Sequence, residues 1–184
     1  MRPGARSLAV LAVAVLVVVL PACGQTAMAQ PDCRSDDPDT LVTMAQAVPT
    51  AMMVPCLGTL PAGWDFELLE VRDGTAELTI GSDRGGDRAL TVTLQRTCRL
   101  GDAKRVPSDE AGARRFELVR QLRPYSGVRI YHFRGGCVVY DFQLETDRAS
   151  ALLNEASLMV NFVTRTELRR QVISHSEGVI TDAP

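Results

Sequence analysis

The sequence predicts an α+β fold: a mainly antiparallel sheet of five or six strands, packed on one face by a long C-terminal helix and preceded by a short N-terminal helix. Three observations carry this. Between residues 64 and 145 apolar and polar residues alternate in short runs broken by Asp-Gly and Gly-Gly turns, the period of half-buried strands. From Ser150 onward the period becomes helical, with Leu152, Leu153, Ala156, Met159, Val160 and Val163 on one stripe. Cys33, Cys56, Cys98 and Cys137 are an even set that suits a disulfide framework.

The elements follow in order. Asp37-Pro38 opens the first helix, with Asp37 as N-cap and Pro38 at the first helical position, where its missing N–H costs nothing. Leu41, Met44, Ala45 and Val48 then recur at helical spacing until Pro49 ends the run. The acids Asp32, Asp36, Asp37 and Asp39 read as charges favoured ahead of a helix N-terminus rather than as a calcium site. Pro49, Pro55 and Pro61 forbid helix over residues 49–63 and favour extended or turning backbone.

Asp73-Gly74 between residues 66–71 and 75–80 is a hairpin signal. Leu90, Val92 and Leu94 alternate with Thr91, Thr93 and Gln95; residues 114–119 form a fourth strand. Gly135-Gly136 joins 128–134 to 137–145, where Val138, Tyr140, Phe142 and Leu144 make one apolar face. The final helix, capped by Asp147 or Ser150, is expected to run unbroken towards Val172. Its opposite face carries Glu155, Arg165, Arg169 and Arg170. Periodicity fails after His175, so residues 32–175 read as one domain and 176–184 as a flexible tail.

The first 22 residues read as a secretory leader. Arg2 and Arg6 precede an apolar run over residues 8–20, too short to span a bilayer comfortably, since about 20 apolar residues are needed. The run ends on Leu20-Pro21-Ala22-Cys23, which resembles the lipobox of bacterial lipoproteins. The resemblance covers only this segment. It implies a diacylglyceryl thioether on Cys23, which becomes the mature N-terminus at the extracytoplasmic face of the cell membrane. Two acyl chains anchor stably where one does not. Residues 23–31, polar and rich in small side chains, would be the tether. Ala27-Met28-Ala29 offers ordinary signal peptidase a competing cut before Gln30, which would release the protein.

The chain has 20 basic and 22 acidic side chains; the leader takes away two arginines and no acid, leaving about −4. That excludes the basic, clustered footprint of a nucleic-acid binder. Four cysteines outside the cytoplasm favour two disulfides, and three pairings are possible. The element reading favours Cys33 with Cys56, strapping the proline-rich segment to the first helix. It favours Cys98 with Cys137, at the end of the third strand and the start of the sixth, which share a sheet edge. No two cysteines have the spacing of a zinc site, His132 and His175 form no ligand pair, and no cofactor motif is present.

One constellation could carry chemistry. A two-residue turn at Gly135-Gly136 would make His132 and Asp141 diagonal neighbours on one face, a pair able to orient a catalytic base. No nucleophile elbow accompanies it. The loop 81–88 lacks the Lys-Ser/Thr ending of a phosphate loop and reads as a hairpin connection. The expected function is therefore a non-enzymatic, membrane-anchored lipoprotein that binds a protein, an envelope polymer or a small molecule. The alternatives are an envelope hydrolase or transferase using His132 and Asp141, and an accessory subunit of a membrane complex.

Overall fold

The computed structural model describes residues 29–34 and 37–181; the leader and Cys23 lie outside them. The element order is α1 (Asp39–Ala47), β1 (Met53–Leu57), β2 (Trp64–Arg72), β3 (Thr75–Ser82), β4 (Gly86–Gln95), β5 (Lys104–Val106), β6 (Arg114–Leu122), β7 (Tyr125–Phe133), β8 (Gly136–Leu144), α2 (Ala149–Met159), β9 (Val160–Thr164) and α3 (Arg165–Thr181). The fold is α+β. Seven strands form an antiparallel sheet in the order β2-β3-β4-β8-β7-β6-β5, and β1 pairs with β9 in a separate two-stranded sheet.

Two hairpin runs build the large sheet. β2, β3 and β4 form one meander and β5 to β8 another, fused where β4 meets β8. The sheet exceeds the expected five or six strands because β5, at three residues, is too short to show a period.

The C-terminal helix is not continuous. Val160, Phe162 and Val163, which extend the helical stripe on paper, belong to β9, and the helix resumes as α3. Short apolar runs rich in β-branched residues suit either element, and pairing with β1 decides for strand. Pro55 sits in the middle of β1, tolerated because this strand belongs to a two-stranded ribbon rather than to a sheet interior. Pro31 and Cys33 add backbone hydrogen bonds to Leu57. Beyond Ser176 the backbone stays helical to Thr181, since hydrogen bonding propagates without an apolar stripe.

α1 begins at Asp39, one residue later than expected, and the Asp37 carboxylate accepts from the Asp39 N–H at 3.0 Å. Its other end is closed from a distance. The Arg165 guanidinium donates to the carbonyls of Ala45, Val48 and Ala51, and Gly74 N–H donates to Ala47. Arg165, expected on the solvent side, therefore satisfies carbonyls that a helix C-terminus leaves orphaned. Glu155 also faces inward: it accepts from Trp64 Nε1 at 2.6 Å and from both terminal nitrogens of Arg84.

One face of the large sheet carries the core. Leu90, Val92 and Leu94 of β4 and Val138, Tyr140, Phe142 and Leu144 of β8 are almost completely buried there, against Leu152, Ala156 and Met159 of α2. Phe162 of β9 meets Tyr131 and Phe133 edge-on, so the small sheet closes the same layer. Among the described residues no helix packs on the other face.

Candidate functional site

The helix-covered face holds most of the buried charge. Arg129 is only 7% exposed. Its guanidinium donates to Glu117 Oε1 at 2.8 Å and to Ser157 Oγ of α2, and stands 5.6 Å from the centre of the Phe142 ring. Glu117 also accepts two bonds from Arg115, which reaches on to Asp109, and Asp109 accepts from the Tyr131 hydroxyl at 2.9 Å. Burial opposes charge on Glu117, but the bonds from Arg115 and Arg129 outweigh it and hold the carboxyl below its ordinary range. Asp109 is lowered in the same way by Tyr131 and Arg115. Burial, helped by the bond to Asp109 and opposed by Arg129, pushes Tyr131 up to about 12. Arg115, Arg129, Glu117 and Asp109 are all partnered, so the cluster ties β6, β7 and α2 together; Glu110 beside it is pushed up by burial and by the Asp109 charge.

The open face differs because the chain must cross it. Since β4 and β5 are separated by β8, β7 and β6, the link between them spans four strand spacings, about 19 Å. Residues 96–103 make that crossing, and the disulfide Cys98–Cys137 pins them over β8. Beneath and beside the crossing lies a groove of about 450 Å³. Its floor is apolar: Val139 of β8, Val128 and Ile130 of β7 and Leu118 of β6 share the face through the register Val139↔Ile130 and Val128↔Leu118. Leu100 and Gly101 of the crossing form a wall. Arg99 and Arg120 stand at the rim, and the volume lies within the roughly 300–1,000 Å³ of small-molecule sites.

His132 and Asp141 do share this open face, but the structure does not bring them together. The β7–β8 turn is Arg134-Gly135, not Gly135-Gly136, so His132 pairs with Cys137 and Asp141 with Val128. Four residues along one strand then separate them, about 13 Å. Gly135 dictates the register. Its φ is +79°, and a Cβ there would meet the Thr50 carbonyl oxygen at 1.8 Å, whereas Gly136 is already in the strand. His132 Nδ1 instead lies 3.0 Å from Arg114, and Asp141 accepts two bonds from Arg120. Without a shared substrate position, a dyad of these two residues is not assembled.

The cysteines pair as Cys33–Cys56 and Cys98–Cys137. The second bond joins β8 to the crossing link just past β4, because β4 skips the next hairpin and pairs with β8, setting Gln95 opposite Cys137. The loop 81–88 is the β3–β4 hairpin, drawn onto α2 by Arg84. Arg169 and Arg170 lie on exposed surface, with Arg170 paired to Glu167. Among the described residues no group of three His, Cys, Asp or Glu side chains converges as metal ligands would.

A second, more polar concavity of about 1170 Å³ lies between residues 30–34, the end of β1, β9 and α3. Gln171 of α3 donates to the Cys33 carbonyl there, and its own carbonyl oxygen is buried without a partner.

The groove residues were the hardest to read from sequence. Val128, Ile130 and Val139 register as ordinary strand residues, and only the strand order shows that a loop overlies them. The chain matches no family model, no curated protein and no solved structure.

Proposed function

We propose that this chain is a non-enzymatic binding protein, held at the extracytoplasmic face of a cell membrane by a lipid on Cys23, that takes a small molecule with an apolar body into the groove of its open sheet face. The observation that carries the binding reading is the partly exposed apolar floor, Leu118, Val128 and Val139 around a buried Ile130, walled by a loop that a disulfide fixes in place. Apolar side chains left outside a core and framed by polar groups are the usual make-up of a ligand site. Two disulfides fit an oxidising compartment outside the cytoplasm. No helix of the described residues is long and apolar enough to cross a membrane. The anchor rests on the lipobox-like segment ending at Cys23.

Two measurements test the two halves. Mass spectrometry of the mature N-terminus is expected to find Cys23 diacylated; a chain beginning at unmodified Gln30 removes the anchor. Organic extracts of gently purified protein are expected to contain a small apolar molecule that Val139→Trp, which fills the groove, no longer retains. Equal recovery from that variant, with its melting temperature unchanged, removes the groove.

A further inference from the structure

The groove's apolar floor does not name its ligand, but the charges around it narrow the class. Arg99 stands at the rim on the crossing loop, is exposed, and hydrogen-bonds or ion-pairs with no described residue. Arg120, on the other side, is held by Asp141 at 3.0 Å. Two more arginines belong to the same face by register. Arg105 of β5 pairs with Phe116, whose own partner is Ile130 of the floor, and Arg114 of β6 pairs with His132. Against these four cations the same region sets two acids, Asp141, already engaged, and the exposed Asp102 of the crossing loop. Glu77 lies two strands beyond Val139 on the same row and accepts from Thr93. The surface around the groove is thus positive on a chain whose mature net charge is about −4.

A guanidinium beside an apolar, partly desolvated strip attracts an anion more strongly than one in open water does. A neutral apolar ligand would use the floor and leave Arg99 idle; a polyanion would use the arginines and leave the floor uncovered. A molecule that uses both has an apolar body and one acid group. Resting on the groove as the binding site, we propose that its ligand is a small anionic amphiphile, a monomeric medium-chain carboxylate. The chain lies across Val139, Ile130, Val128 and Leu118, and the carboxylate is held by Arg99. Arg99 is the selective contact because it has no described partner, whereas Arg120 already gives its Nη1 to both carboxylate oxygens of Asp141.

Photo-crosslinking of the full-length lipidated protein in neutral phosphatidylcholine vesicles tests this, using a diazirine-bearing decanoate and the matching decanol, with labelled peptides mapped. The decanoate probe is expected to label the segments carrying residues 97–100 and 118–139, and decanol at least about tenfold less. Arg99→Ala is expected to lower decanoate capture about tenfold, one charge-assisted contact of the bidentate kind. Arg99→Lys, which keeps the charge and loses the fork, should recover part of it. Arg99 is exposed, so neither variant disturbs the fold, and unchanged melting temperatures verify that. Equal groove labelling by both probes, or capture indifferent to Arg99→Ala, overturns the anionic ligand while leaving an apolar binding groove. Absence of groove labelling by either probe overturns the ligand and the groove reading together.

Discussion

The two faces of the seven-stranded sheet use the same raw materials, aliphatic side chains and arginines, to opposite ends. On the helix-covered face Phe142, Tyr140 and Leu90 are almost wholly buried, and Arg129 is enclosed by Glu117, Ser157 and the Phe142 ring. On the open face Val128 and Val139 keep partial exposure, and Arg99 has no described partner. The difference lies in what crosses each face. Two helices and a strand ribbon cover one side, while a single eight-residue link walls the other. The covered face should therefore govern stability and the open face binding.

The sharpest break of that division is a truncation on each side. Phe142→Ala removes a fully buried ring and is expected to cost about 4 kcal/mol in urea denaturation. Val139→Ala, on the open face, should cost about 1 kcal/mol or less. Comparable losses would mean that the open face also carries core. Next in size, replacing both Cys98 and Cys137 by alanine releases a loop of 39 residues and is expected to lower stability by about 3–4 kcal/mol on the chain-entropy model. Because this bond holds the groove wall, the same variant should lose ligand capture, a double effect that removing Cys33–Cys56 should not show.

Arg129→Met takes one partner from a buried ion pair and is expected to cost about 3 kcal/mol, again by denaturation midpoint. Ligand capture should be unchanged in protein that remains folded; a selective loss of capture would place the charge cluster in the binding site.

The smallest effect is a pH dependence confined to the covered face. Burial pushes Tyr131 up to about 12 in the folded chain against about 10 unfolded, and raises Tyr140 as well. A raised folded pKa contributes stability that is complete below pH about 10 and is lost as pH rises through about 12. Glu117 and Asp109, held below their unfolded values, contribute stability present above pH about 4 and lost as pH falls below it. Denaturation midpoints should be flat between these limits and fall at both ends. Tyr131→Phe should flatten part of the alkaline fall, and an unchanged slope would detach that phenol from it.

Local pattern carried the strands well wherever a period could develop. Val138, Tyr140, Phe142 and Leu144 alternate cleanly and are all buried, and Asp73-Gly74 turns the hairpin as its residue types require. What escaped depends on partners distant in sequence. β9 looked helical because Val160 and Val163 continue a stripe, and only β1, more than a hundred residues earlier, makes them a strand. Arg165 looked solvent-facing because the carbonyls it serves belong to α1. His132 and Asp141 were assigned the correct face but a register two residues off, since two adjacent glycines allow two turns and Thr50 selects one. The groove was illegible for the same reason: it is a property of strand order, and a three-residue β5 gives no sign that the chain has crossed three strands to reach it.

The pairing of β1 with β9 also sets the order of events when the chain is made. Met53 meets Thr164 across more than a hundred intervening residues, so the ribbon is among the most non-local contacts in the molecule and among the slowest to close. A chain threaded through a membrane from its N-terminus delivers β9 almost last. Cys33 and Cys56 emerge early and lie 23 residues apart, so their bond can secure the first segment before its strand partner has arrived. A chain cut short before residue 160 would leave β1, buried at all five positions in the finished fold, without its strand partner.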